Sequence, residues 1–216
     1  MTTSTHTQEI CLQVFAKASA AITHEIKNTL SIINENAGLL EDLATMTDDD
    51  SGIPPGHLLS ATSIIMKQVV RSNVIMKNLN TFAHSADIPF ATVNLETTLR
   101  LLITLTDRQA AMKKAAVSAT CPPDLAVHTH VFTFESLIYL ALRRIYDVIA
   151  NQSTLELEAA RDNADIVISF SVTGQPLPAL GNASDDEAAL AQEIGATLAG
   201  EQDRYIIRLP AAIRDE

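Results

Sequence analysis

Apolar positions recur at helical spacing through the first third of the chain. In residues 18–43, ASAAITHEIKNTLSIINENAGLLEDL, the residues Ile22, Ile26, Ile33, Leu40 and Leu43 are three, four or seven apart. That spacing lines them along one side of a helix. The helix is expected over 8–46, about 55 Å long at roughly 1.5 Å per residue, behind a Thr/Ser-rich start that holds His6 and a cap at Ser4 or Thr7. The segment 47–56, with Asp48-Asp49-Asp50, Gly52, Pro54, Pro55 and Gly56, reads as a turn. A second helix follows over 57–84. Its apolar positions form one stripe at Leu58, Thr62, Ile65, Val69, Ser72, Met76 and Leu79, and a second edge at Leu59, Met66, Val70 and Ile75.

A hairpin of two helices with apolar surface on more than one edge cannot close a core alone. A second copy related by a two-fold axis would complete a four-helix bundle, so a homodimer is expected. Counting from the turn puts His24 beside 77–81 of the second helix, with Lys77, Asn78 and Asn80 as neighbours.

Beyond 84 the period changes. Residues 87–93, with Asp87-Ile88-Pro89, are expected as a linker between a helical domain, 1–86, and a second domain, 94–216. There the pattern predicts a helix over 95–116, short strands at 117–121 and 125–131 around Pro122-Pro123, and an apolar helix over 132–149. Strands at 155–160 and 166–172, a helix at 185–198 and a strand at 205–209 follow. The fold class is α+β, a long helical hairpin followed by an α/β sandwich.

Composition narrows the chemistry. Hydrophobic residues are 47% of the 216 and aromatics 4%, without Trp, so Ala, Leu and Ile fill the core. A net charge of −11 disfavours nucleic acid and anionic membranes as partners. Cys11 and Cys121 make no disulfide framework, and a reducing cytoplasm is the expected location. The polar N-terminus lacks a signal-peptide apolar region, and no apolar run approaches the roughly 20 residues of a membrane span. His128 and His130 share one face of a strand but lack further ligands beyond Cys121, and the Asp48–50 run reads as a solvated helix stop.

His24 is the candidate reactive group. It lies two residues from both Ile22 and Ile26, about 200° around the helix, so it faces water beside Glu25, Lys27 and Asn28. An imidazole held on a rigid helix next to a carboxylate and an amide suits nucleophilic work. Lys27 is expected to point elsewhere around the helix, as a partner contact or a solvated charge.

The run His24-Glu25-Ile26-Lys27-Asn28-Thr29-Leu30 resembles the phosphoacceptor box of sensor histidine kinases, H-E-[IL]-[KR]-N-P-L, with Thr29 where Pro is common. The order of elements in the second domain resembles the Bergerat-type ATP-binding domain of the same family. Its end is the best match: in ALAQEIGATLAGEQDRYIIRLP, Leu190, Ile194, Leu198, Gly200, Ile206, Leu209 and Pro210 occupy the family's apolar, Gly and Pro positions. The nucleotide boxes depart from the pattern. Leu140 and Arg144 stand where the family places Mg²⁺-binding asparagines, Val172-Thr173-Gly174-Gln175-Pro176 keeps only Gly174 of D-x-G-x-G, and the lid region before Asp185 is short with just Gly181.

The resemblance implies a phosphorelay histidine phosphotransferase with no cofactor of its own and without the usual sensor and membrane anchor. His24 would accept a phosphoryl group from the aspartate of a response-regulator receiver domain, which brings its own Mg²⁺. Glu25 would tune the imidazole. Asn28, matching the fourth position of the family's E-x-x-[TN] phosphatase motif, would steady a phosphoryl oxygen or a water. Lys27, Ser31, Lys77 and Asn80 are candidate partner contacts. A divergent ATP-dependent kinase and a non-catalytic adaptor or phosphatase acting on a receiver are the alternatives.

Overall fold

The computed structural model describes residues 2–46, 52–173, 183–201 and 203–210. Two helices, α1 (Thr2–Met46) and α2 (Pro55–His84), make the hairpin. Helix α1 begins well before residue 8, because Thr7 and Ile10 are already buried. The chain divides into two compact units, Ser19–Asn80 and Met1–Ala18 with Thr81–Glu216. The segment 87–93 therefore falls inside the larger unit. No described helix is long and apolar enough to cross a membrane.

In the smaller unit the inward stripe of α2 runs Ala61, Ile65, Gln68, Ser72, Ile75 and Leu79, all buried or half-buried. That stripe is rotated from the predicted one. Leu58, Val69 and Met76 lie outside it and are exposed, as are Leu59, Met66, Val70 and Val74. Ala61, Gln68 and Ser72 alternate with Ile65, Ile75 and Leu79 on the inward face, and a second set of aliphatics faces out.

In the larger unit the start of α1 buries Ile10, Val14 and Ala18. Phe15 stacks on Phe82 at 6.3 Å, and Phe82 meets Phe132 at 5.0 Å. Beyond α2 a 3₁₀ turn, Ser85–Asp87, leads into a strand, β1 (Phe90–Asn94), in the segment expected as a linker. It pairs antiparallel with β3 (Ala126–His130), from Phe90 opposite His130 to Asn94 opposite Ala126. The expected helix over 95–116 is two, α3 (Leu95–Leu105) and α4 (Asp107–Met112). They break at Thr106, whose hydroxyl bonds back to Leu102 O at 2.9 Å. The strand before Pro122, β2 (Ala116–Thr120), does not pair with β3. It runs parallel to β4 (Thr154–Asp162) in a five-stranded sheet.

Strands β5 (Asp165–Val172), β6 (Thr197–Gly200) and β7 (Arg204–Pro210) complete that sheet in the order β2-β4-β5-β7-β6. Leu155, Leu157, Ile166, Ile168, Phe170, Tyr205, Ile207 and Leu209 alternate onto its buried face. The helical layer is α3, α5 (Val131–Val148) and α6 (Asp185–Glu193). Helix α6 ends five residues sooner than expected. Gly195 takes φ of +63° and turns the chain into β6.

Candidate functional site

His24 lies on α1 in the smaller unit, exposed, with no side-chain hydrogen bond among the described residues. Lys27, Asn28 and Ser31 are exposed as well. These four positions are separated by three, four and seven, so they form one polar face along α1. Lys27 therefore stands on His24's face rather than elsewhere around the helix. Three residues is about 300° around a helix and leaves neighbours only about 60° apart. Ser31 Oγ donates to Lys27 O at 3.1 Å.

Glu25 sits at the flank of this face, its side chain 21% exposed, and pairs across the hairpin with the half-exposed Arg71 through Nη2–Oε1 at 2.5 Å. Reasoning on the sequence missed Arg71, because counting from the turn looked a turn and a half further along α2. The two long side chains bridge that axial offset. Thr29 is buried. Its hydroxyl lies 2.8 Å from Ile26 O and 2.6 Å from Ser72 Oγ. In an antiparallel pair with Thr29 opposite Ser72, the residue level with His24 is Lys77. Lys77 and Asn80 are exposed, and Asn78 is half-buried.

In the larger unit the positions expected for a nucleotide hold other chemistry. Arg144 Nε lies 3.1 Å from Glu187 Oε1 and 3.0 Å from Oε2. Its guanidinium carbon stands 4.8 Å from the Tyr205 ring centroid. Glu187 is fully buried and also closes a capping box with Ser184 at the start of α6. Burial pushes the Tyr205 hydroxyl well above its usual range, with the Glu187 carboxylate adding to the rise. A guanidinium, with Leu140 one turn before it on α5, offers no oxygen ligand to Mg²⁺. Gly174, Gln175, Pro176 and Gly181 lie outside the described residues.

Glu135, on α5, was not singled out by the sequence. It is buried, and its Oε2 lies within hydrogen-bond distance of Ser85 Oγ, at 2.5 Å. Burial raises its carboxyl to about 7 against the lowering effect of that hydrogen bond. His128 Nδ1 lies 3.2 Å from Thr92 Oγ1, and His130 packs on Phe90 at 4.3 Å. Among the described residues no group of three metal-binding side chains forms.

No protein-family model matches the chain, and no curated protein matches it. Among solved structures it is similar to the catalytic domain of the histidine kinase ThkA, with a TM-score of 0.49 and 12% identity over 58% of this chain and 99% of that one. It is similar to the Acinetobacter baumannii histidine kinase AdeS, with a TM-score of 0.45 and 10% identity over 87% and 98% of the two chains. It is also similar to a bacterial phosphotransferase, with a TM-score of 0.46 and 14% identity over 91% and 95%.

Proposed function

We propose that the protein is a histidine phosphotransferase of a two-component phosphorelay. The observation that carries this reading is the exposed row His24, Lys27, Asn28 and Ser31 on one rigid helix, inside a phosphoacceptor-like box and beside a Glu25 held from the sister helix. An imidazole nitrogen of His24 attacks the phosphorus of a receiver's aspartyl phosphate. The N–P bond forms as the P–O bond breaks, and the receiver carboxylate leaves with the bonding pair. The other ring nitrogen keeps its proton. Transfer to a second receiver runs the same step in reverse.

Little covalent chemistry falls to the protein in such a transfer, so positioning dominates. Glu25 tunes the imidazole, and Asn28, one turn on, steadies the phosphoryl oxygens. Lys27, Ser31, Lys77 and Asn80 meet the receiver, which brings its own Mg²⁺. The exposed aliphatics of α2, Leu59, Met66, Val70 and Val74, are covered by a second copy in a four-helix bundle. The Arg144–Glu187 pair supports a second domain that works without ATP.

The test mixes the purified protein with a panel of phosphorylated receiver domains and follows the acid-labile phosphoryl group. Label on the wild type and none on His24→Gln is the expected result. Receiver binding without label would favour an adaptor, and label from ATP alone would restore the kinase alternative.

A further inference from the structure

Arg71 on α2 reaches across the hairpin to the phosphoacceptor segment. Its partner is Glu25, the residue next to His24. The Glu25 carboxylate is only one-fifth exposed, whereas the Arg71 side chain is 52% exposed. One guanidinium nitrogen is used on Glu25, and the other donors make no hydrogen bond among the described residues.

This arrangement solves a charge problem that phosphorylation of His24 creates. A phosphoryl group brings close to two negative charges. Set beside a largely covered carboxylate, it would be opposed by like-charge repulsion that water screens poorly. A guanidinium on that carboxylate cancels the repulsion, and its spare donors match phosphoryl oxygens in geometry. Resting on the phosphotransferase reading, we infer that Arg71 is a positioning residue for phosphoryl transfer, neutralising Glu25 so that the site accepts a phosphoryl group on His24. Lys77, level with His24, and Lys27, on its face, are the other cations nearby.

The experiment separates this role from helix pairing and from the identity of the donor. Phosphoramidate phosphorylates exposed imidazole directly: the ring nitrogen attacks phosphorus and ammonia leaves with the P–N bonding pair. The protein is labelled this way, and phospho-His24 is followed by ³¹P NMR against pH. Wild type, Arg71→Ala, Arg71→Lys and the double variant Arg71→Ala/Glu25→Gln are compared, each checked for folding by circular dichroism. The uncancelled carboxylate in Arg71→Ala should move the titration midpoint upward by about half a pH unit and shorten the lifetime of the phosphoryl group several-fold. Arg71→Lys should stay near wild type, and removing the Glu25 charge in the double variant should return the midpoint.

A folded Arg71→Ala protein with an unmoved midpoint would overturn the inference. So would a shift that the double variant does not reverse, since a purely structural clamp has no reason to depend on the sign of residue 25. Labelling by phosphoramidate but by no receiver would sink the phosphorelay reading and still judge Arg71.

Discussion

Thr29 Oγ1 lies 2.6 Å from Ser72 Oγ, joining the two arms of the hairpin five residues from His24. Each hydroxyl has one proton. With Thr29 donating to Ile26 O at 2.8 Å, Ser72 supplies the hydrogen between the two side chains. Thr29→Val keeps the volume and strands the Ser72 donor, so it should cost about 1–2 kcal/mol. Ser72→Ala, which removes the donor and leaves Thr29 its bond to Ile26, should cost less. Urea unfolding of the two variants checks the order.

Glu135 carries a pH dependence. Ser85 Oγ lies 2.5 Å from its Oε2 and 2.7 Å from Phe82 O. A single hydroxyl proton cannot serve both acceptors. A protonated Glu135 donates to Ser85, which then donates to Phe82, and every contact is satisfied. Its carboxyl stands at about 7 against an ordinary 4.5, raised first by burial. The folded state therefore binds the extra proton between those values. The contribution is full below about pH 4.5 and is lost as pH rises through 7, amounting to about 3 kcal/mol. Glu135→Gln stays neutral and should flatten the stability profile between pH 5 and 8 in thermal melts.

Arg144 and Glu187 should behave as a buried pair. Arg144→Leu leaves a fully buried carboxylate without its cation and should cost roughly 3 kcal/mol. The double variant Arg144→Leu/Glu187→Leu removes both charges and should recover part of that loss, although the capping box goes with Glu187. Denaturant midpoints of the singles and the double measure the coupling.

In the proposed bundle the exposed aliphatics of α2 form the contact between copies. Val70, 58% exposed, and Met66, 60% exposed, lie four apart on one face. Val70→Asp should place a charge in the interface between copies and convert dimer to monomer in sedimentation velocity, with the helical content of the hairpin reduced. A monomeric wild type at micromolar concentration would refute the bundle.

Reading the chain alone located most elements to within a few residues, because their burial is periodic. The alternation of Ile166, Ile168 and Phe170 and the row His24, Lys27, Asn28 and Ser31 follow from local geometry that any helix or strand imposes. Strand β1 was missed because Phe90–Asn94 is short and follows Pro89, and its partner β3 lies more than thirty residues away. The break at Thr106 was missed because good helix formers, Arg108, Gln109 and Ala110, follow it, and no Gly or Pro marks the end of α3, where the Thr106 hydroxyl bonds back to Leu102 O.

Helix periods, turn residues and the phosphoacceptor-like box belong to the order of the residues, since each depends on neighbours a few positions apart. The Arg71–Glu25 pair, the Thr29–Ser72 contact, the choice of Ala61, Ser72 and Leu79 as the inward stripe, and the burial of Glu135 and Glu187 belong to the fold. Each joins residues more than forty positions apart or sets a solvent exposure. Charge pairing and desolvation depend on distance in space, and a distance of that kind exists only once the chain has packed.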